Sequence, residues 1–269
     1  MKQQPDLSFI IPVYNMAATL PGTLNSLYQI EDLLFEIVIV DDGSNVSVAE
    51  SVEKLVDMAP VPVHIFRTEN RGRAEAINEG LRHAVGRYVS FVDADDFIDP
   101  KEFLGLISII KLGLYDLIIG QFKIIGENGK VFDERSHTDH PTREKLINRI
   151  AYYPLAPVHL NAFVIKKFLL DEVGMFDSNN LKSEDKDMTI RLLRAATSVK
   201  FCNTFNYHYH KHNIGRSKKV QKRLEWILYR QRMISRNFEG VEKIASKTLQ
   251  FFYDSAKLLY EATVGYKKY

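Results

Sequence analysis

Residues 36–44 read EIVIVDDGS, a short apolar run that stops abruptly at two aspartates, a glycine and a serine. An apolar run of this length, bounded by turn-forming residues, is typical of a buried strand. The pattern recurs at residues 88–96, YVSFVDADD, where the strand again runs into aspartates. Further strand patterns at residues 8–13, 63–66 and 116–120 alternate with helical patterns. This alternation predicts an α/β fold with a mostly parallel sheet flanked by helices.

Composition excludes several classes of protein. The 269 residues suffice for one large α/β domain or two small ones, and 45% apolar with 26% charged residues is ordinary for a globular chain. A net charge of +2 gives no reason to expect nucleic-acid binding. Cys202 is the only cysteine, which excludes an intramolecular disulfide and a multi-cysteine zinc cluster. The first apolar run is too short to span a membrane and lacks a secretory cleavage site, so we expect a cytoplasmic protein.

Aspartates follow two of the predicted strands, namely Asp41, Asp42, Asp93, Asp95 and Asp96. In open parallel sheets, ligands bind beyond the carboxyl ends of the strands. Five carboxylates at one sheet edge repel one another unless a cation or hydrogen-bond donors compensate, and hard oxygen ligands suit Mg²⁺ or Mn²⁺. The alternative is that these aspartates only form turns and cap helices.

Four motifs in chain order carry a family resemblance: residues 11–15 (IPVYN), 40–44 (VDDGS), 70–72 (NRG) and 91–96 (FVDADD). Together they resemble the motif series of family 2 glycosyltransferases, over about residues 7–217. That family has the GT-A fold, a Rossmann-like nucleotide-sugar-binding α/β domain with an acceptor region appended. The resemblance implies a metal-dependent, inverting glycosyltransferase that uses a nucleotide-sugar, in the first place a UDP-sugar, with Mn²⁺ or Mg²⁺ as cofactor.

The same resemblance assigns roles around the nucleotide. It implies that the carboxylate of Asp41 contacts the uracil base. The main chain around Pro12, Val13 and Tyr14 is then expected to frame the base and the ribose.

Residues 93–95 resemble the DXD motif of the family. The resemblance implies that Asp95 ligates the metal, while Asp93 and the adjoining Ala94 lie at the ribose. The physical chemistry agrees, because a carboxylate can approach a diphosphate only with a cation between them.

One segment departs from the family pattern. Many relatives carry Ala-Arg-Asn where this chain has AIN at residues 76–78, so an arginine placed near the diphosphate is missing. Arg71 or Arg73 is a candidate substitute, and Arg73 is favoured because it lies on the helical stripe that faces the sheet. The alternative is an ordinary surface arginine at a helix start.

A second constellation is Glu184 and Asp185. A helix that begins here places four residues on one face, namely Asp185, Met188, Leu192 and Ala196. Taken alone, the two carboxylates would only complement the helix dipole. The resemblance implies instead that Asp185 is the general base that deprotonates the acceptor hydroxyl, with Glu184 positioning the acceptor.

Residues 207–217 read YHYHKHNIGRS. His208, His210 and His212 alternate, but ligands at every second position of one strand seldom close a tetrahedral zinc site. The resemblance implies a loop that covers the diphosphate, with His210, ahead of His212, as a metal ligand. Arg216 is expected to contact phosphate through its planar donor fork. The alternative is a solvated polar strand and loop.

The resemblance implies a GT-A domain over residues 1–219. Residues 1–121 form its nucleotide-sugar-binding half and residues 122–219 its acceptor-side half, the latter including one strand-like run at residues 199–209. Residues 220–269 are expected to form a helical C-terminal extension.

The expected partners are a UDP-sugar and a glycan, glycoprotein or lipid-linked acceptor. Contact with the inner membrane face or self-association through residues 211–269 is a further expectation, because a basic run there lacks acidic residues. A nucleotidyltransferase is disfavoured, since no glycine-rich basic signature follows the first strand. A catalytically silent nucleotide- or glycan-binding scaffold is the second reading, although such a module would not need all four of Asp41, Asp93, Asp95 and Asp185.

Overall fold

The computed structural model describes most of the chain, and the described residues are 3–126, 128–137, 142–152, 158–178, 184–210, 233–239, 251 and 254–255. The strands within them are β1 (Leu7–Val13), β2 (Phe35–Asp41), β3 (Val63–Arg67), β4 (Tyr88–Phe91), β5 (Phe97–Ile98), β6 (Leu117–Ile119), β7 (Phe122–Ile125), β8 (Val131–Arg135), β9 (Phe163–Lys166), β10 (Val199–Phe201) and β11 (Tyr207–His210). The helices are α1 (Leu20–Tyr28), α2 (Val48–Asp57), α3 (Arg73–His83), α4 (Pro100–Leu112), α5 (Arg143–Tyr152), α6 (Lys167–Val173) and α7 (Glu184–Ala195).

Seven strands form the larger sheet, in the spatial order β10-β6-β9-β4-β1-β2-β3. All neighbours are parallel except β9, which runs antiparallel to both β4 and β6. Parallel neighbours need crossover helices, and those helices cover the sheet on both faces. The prediction of a mainly parallel sheet flanked by helices is therefore confirmed, and the strand patterns before residue 121 correspond to β1, β2, β3, β4 and β6.

A second sheet has the order β5-β11-β7-β8. Here the prediction of one strand over residues 199–209 is wrong, because β10 ends in the large sheet and β11 begins in the small one. The backbone between β10 and β11 is hydrogen-bonded to β6 and to the residue before β7. The N–H of Cys202 donates to the carbonyl of Ile119, and the carbonyl of Thr204 accepts from the N–H of Gln121. The switch places β11 directly beside β5, at the end of the second aspartate cluster.

Two apolar cores lie on the two faces of the large sheet. In β1 the alternation is direct, with Ile10 in one core and Phe9 and Ile11 in the other. Helix α3 packs closely on the sheet at Gly80, where an added Cβ would lie 2.4 Å from Cγ2 of Ile10. The missing side chain at Gly80 thus allows α3 to lie close on the sheet.

Residues 233–239 pack on α7. Met233, Ile234 and Phe238 are buried in the core cluster that contains Met188 and Leu192 of α7. The predicted division of the chain at residue 219 stays a prediction, since most of residues 220–269 lie outside the described set. Among the helices that the structure describes, none is long and apolar enough to cross a bilayer.

Candidate active site

The loops after β1 and β2 are locked together at the carboxyl edge of the sheet. The carbonyl of Val13 accepts from the N–H of Asp42 at 2.8 Å, and the N–H of Asn15 donates to Oγ of Ser44 at 2.9 Å. Val13 is buried, Pro12 is partly buried and Tyr14 is 47% exposed. The segment predicted to frame a nucleotide therefore has a fixed backbone and an exposed aromatic ring.

Asp41 is held by two donors although it is only 2% exposed. Its Oδ1 accepts from the N–H of Ser44 at 2.8 Å, and its Oδ2 accepts from Nη1 of Arg67 at 3.0 Å. Arg67 was not identified as a site residue from the sequence. It lies opposite Asp41 in the β2–β3 register, so extending the third strand pattern by one residue would have found it.

Asp42 closes a turn. Its two carboxylate oxygens accept from the N–H groups of Arg71 and Gly72, each at 2.8 Å. Gly43, with φ of 72°, permits the close approach, since a Cβ there would lie 2.8 Å from the backbone N of Asn70. For this aspartate the turn-forming alternative describes the structure.

Asp96 is fully buried and joins the second cluster to β11. Its carboxylate accepts from the hydroxyl of Tyr207 and from the N–H of His210, the latter at 2.7 Å. Burial, and next the charge of Asp93, raise the pKa of Asp96 well above its usual range. Asp93 and Asp95 remain partly exposed at the edge.

Arg73 lies between the aspartates after β4 and the acidic pair at the start of α7. Its Nη2 and Nε donate to Oδ1 of Asp93 at 2.7 and 2.9 Å, and its Nη1 lies 3.7 Å from Oε1 of Glu184. Burial lowers the pKa of Arg73, but the surrounding carboxylates Asp93, Glu184 and Asp185 outweigh it and hold that pKa above its usual value. The guanidinium is therefore permanently charged.

Glu184 and Asp185 occupy the first turn of α7. Burial, followed by the charge of Asp185, raises the pKa of Glu184 to about 6 even though Arg73 opposes the shift. Met188 and Leu192 are fully buried on the same helix, as the predicted stripe requires.

A cavity of about 180 Å³ opens beside this turn. Its lining includes Asp185, His159, Phe122, Arg135 and Thr189. A partly apolar cavity with a few convergent polar groups is the usual form of a small-molecule site. Asp185 thus borders a cavity lined by both apolar and polar side chains.

His159 is a further residue that the sequence did not reveal. Its ring stacks on Tyr207 and Tyr209 with centroid separations of 5.3 and 5.6 Å. Burial lowers the pKa of His159 although Asp93 and Asp185 act against the shift, so the imidazole is neutral at pH 7. No spacing rule links residue 159 to β11, because only the fold brings them together.

The histidines of β11 lie on the opposite side of the strand from the two tyrosines. Nε2 of His208 is 3.6 Å from Oδ2 of Asp99, and the rings of His210 and Phe97 form a T-shaped pair with a centroid separation of 4.5 Å. In the portion of the chain that is described, three or more His, Cys, Asp or Glu side chains do not gather into a metal-binding group. His212 and Arg216 lie outside the described residues.

A family model described as glycosyl transferase family 2 matches residues 8–174. The poly(ribitol-phosphate) beta-N-acetylglucosaminyltransferase TarS of Staphylococcus aureus is 27% identical over 205 residues, which is 75% of this chain and 35% of that protein. An uncharacterized glycosyltransferase of Rickettsia bellii is 29% identical over 197 residues, which is 72% of this chain and 28% of that protein. The chain thus spans about a third of the length of these relatives.

Two solved structures share the fold. Residues 1–349 of S. aureus TarS in complex with UDP-GlcNAc match with a TM-score of 0.66 at 23% identity, covering 91% of this chain and 70% of that one. The mannosyltransferase PcManGT from Pyrobaculum calidifontis, in complex with GDP-Man and Mn²⁺, matches with a TM-score of 0.63 at 18% identity, covering 97% and 76%. At these identities the likeness establishes the GT-A architecture.

Proposed function

Because this chain belongs to glycosyl transferase family 2, we propose that it transfers a sugar from a nucleotide-sugar to an acceptor hydroxyl, with inversion at the anomeric carbon. One observation carries the proposal: Asp185 borders a cavity, and its neighbour Glu184 is linked through Arg73 to Asp93 at the carboxyl end of β4. An acidic pair beside a cavity and a second acidic motif at the sheet edge are what base-assisted transfer from a diphosphate donor needs.

Asp185 is the proposed general base. As the acceptor oxygen attacks the anomeric carbon, Asp185 takes the hydroxyl proton, and the bond from that carbon to the nucleoside diphosphate oxygen breaks with its electron pair leaving on the diphosphate. Base catalysis of this kind typically contributes about 10²–10⁴-fold to the rate. Glu184 is proposed to position the acceptor.

The donor is proposed to be a UDP-sugar. Asp41, backed by Arg67, would accept a base N–H, while the backbone of residues 12–14 frames the base and ribose. Asp93 with Ala94 would lie at the ribose. The structure of TarS with UDP-GlcNAc supports UDP as the first nucleotide to test, and PcManGT with GDP-Man makes GDP the second.

We propose that Asp95, through its carboxylate, and His210, through its imidazole, would hold a divalent cation. Mn²⁺ accepts both kinds of ligand, and such ions commonly complete their shell with substrate phosphates. When bound, the cation would neutralise charge on the leaving diphosphate. PcManGT with GDP-Man and Mn²⁺ supports this assignment.

The acceptor is proposed to be a glycan, glycoprotein or lipid-linked glycan that enters the cavity beside Asp185. The name of TarS, a poly(ribitol-phosphate) beta-N-acetylglucosaminyltransferase, supports a polymer with free hydroxyls. Phosphate contact by Arg216 and membrane contact through residues 211–269 stay predictions, because those residues fall largely outside the described part of the chain.

Calorimetric titration of UDP, with Mn²⁺ and again with chelator, tests the donor site. We expect binding that requires the metal, that is lost in Asp95→Ala, and that persists in the exposed control Asp57→Ala. Metal-independent binding would remove Asp95 from its role. If UDP binds under neither condition but GDP binds, the proposed donor changes from a UDP-sugar to a GDP-sugar.

Release of UDP from UDP-GlcNAc and other UDP-sugars separates the enzyme from a silent scaffold. An enzyme releases UDP in the presence of acceptor or slowly to water. A scaffold binds the nucleotide and releases none, and that result would overturn the proposal of activity.

A further inference from the structure

We propose that Arg73 is a positioning residue, whose single guanidinium group, held between Asp93 and Glu184, keeps the donor side and the acceptor side of the site in a fixed relation. The inference rests on the proposed function and deepens it. It differs from the expectation drawn from the family resemblance, in which Arg73 contacts the diphosphate.

The donors of Arg73 are already engaged inside the protein. Nε and Nη2 share Oδ1 of Asp93, Nη2 also lies 3.4 Å from Oδ1 of Asn161, and Nη1 faces Glu184. The side chains are 30%, 25% and 12% exposed for Arg73, Asp93 and Glu184. Two of the three guanidinium nitrogens thus donate to protein side chains, and the third faces a carboxylate.

The backbone that carries Arg73 is fixed as well. The carboxylate of Asp42 binds the N–H groups of Arg71 and Gly72, immediately before the first residue of α3. Gly72 has φ of 92°, which positions the chain for the helix start. Arg73 is thus a preorganised side chain, and preorganised groups lose little freedom when they orient others.

Asn161 continues the connection. Its Nδ2 donates to the hydroxyl of Tyr207 at 2.7 Å, and that hydroxyl donates to Asp96. One ion pair, between Glu184 and Arg73, and three hydrogen bonds, from Arg73 to Asn161 and on through Tyr207, therefore connect Glu184 to Asp96, in the loop that contains Asp95. Each link is partly or wholly buried, which strengthens the contacts that hold the two ends in place.

Charge supplies the second reason. The groups that face Glu184 are Asp185 on its own helix, Arg73 on α3, and Asp93 beyond β4. Three carboxylates thus surround one cation. Without that cation the pKa of Glu184 would rise further, because Arg73 is the neighbour whose charge acts against burial and against the charge of Asp185.

Kinetics of three variants test the inference. In Arg73→Met, we expect kcat to fall about 10²-fold, as for a misplaced reacting group, while the Kd for UDP stays close to the wild-type value. The acidic limb of the pH–rate profile moves to higher pH, because Arg73 lowers the pKa of Glu184. Arg73→Lys restores part of kcat, and the matched control Arg82→Met, on the same helix but paired with Glu75 and Glu79, behaves as wild type.

Thermal unfolding tests the contact without relying on the reaction. Glu184→Gln should raise the Tm more in the Arg73→Met background than in the wild type, since the buried carboxylate is then uncompensated. Equal shifts in both backgrounds would overturn the inference.

The kinetic outcomes are distinct from those of the proposed function. An active wild type with an unaffected Arg73→Met variant overturns the inference alone, as does a Kd for UDP that rises as much as kcat falls. A wild-type protein that releases no nucleotide from any donor overturns the proposed function and this inference with it.

Discussion

Nδ2 of Asn237 donates a hydrogen bond to Oδ1 of Asp187 at 2.8 Å, and Asp187 lies in the first turn of α7, two residues beyond Asp185. Asp187 is fully buried, and its other oxygen accepts from Nε of Arg191 at 2.9 Å. A segment near the C-terminus is therefore anchored to the back of the helix that carries the proposed base.

Asn237→Ala removes this anchor. Because a buried carboxylate oxygen loses its donor, we expect unfolding free energy to fall by about 1–3 kcal/mol. Urea denaturation at pH 7 measures the loss, with the exposed Asn25→Ala on α1 as control. Equal stability of the two variants would show that the contact contributes nothing.

Asp185→Asn tests the base. The amide is nearly isosteric but cannot accept the proton, so we expect sugar transfer to fall by about 10²–10⁴-fold with the Tm nearly unchanged. UDP release and a thermal melt on the same preparation measure both. Full activity of this variant would remove Asp185 from its role.

Glu184 makes stability depend on pH. Its pKa is raised from 4.5 to about 6 on folding, so the folded state binds the extra proton and stability falls as pH rises through that window. The difference corresponds to about 2 kcal/mol. Glu184→Gln should match the wild type near pH 4.5 and exceed its stability at pH 7.5; parallel curves would contradict the shift.

The pKa of Asp116 shifts in the opposite direction, so its effect on stability has the opposite pH dependence. Burial raises its pKa, but hydrogen bonds from Thr197 and Ser198 and the contact with Lys166 outweigh burial and lower the pKa to about 2. Its contribution is present above pH 3.8 and is lost as pH falls toward 2. Asp116→Asn should therefore cost about 2 kcal/mol at pH 7 and less near pH 2.5, measured by denaturant unfolding. An equal loss at both pH values would disprove the linkage.

Gly80→Ala reverses a general rule. Alanine in a helix interior is normally favoured over glycine by about 1 kcal/mol. Here the new Cβ would meet Cγ2 of Ile10 at 2.4 Å, and overpacking typically costs about 1–3 kcal/mol. Denaturant unfolding should show a loss of stability, and the double variant with Ile10→Ala should lose less than the sum of the single losses. A stabilised Gly80→Ala would mean that the helix moves away freely.

The sequence predicted β1 to β4 and β6 because their signals are local. Each is a short apolar run bounded by turn formers, and the helices between them carry their own periodicity. The family resemblance also rested on local signals, namely four short motifs in a fixed order. In contrast, residues 199–209 were read as one strand, since periodicity cannot show that a chain leaves one sheet and enters another.

The candidate site divides in the same way. The sequence by itself singled out Asp41, the second aspartate cluster and the pair at residues 184–185. The tertiary structure decided that Asp41, Asp42 and Asp96 are buried while Asp93 and Asp95 are partly exposed, and it added Arg67, His159 and Asn161. It also paired Arg73 with Glu184. These contacts join residues far apart in the chain, and a hydrogen bond or a pKa depends on distance and burial in three dimensions, which no local pattern of residues encodes.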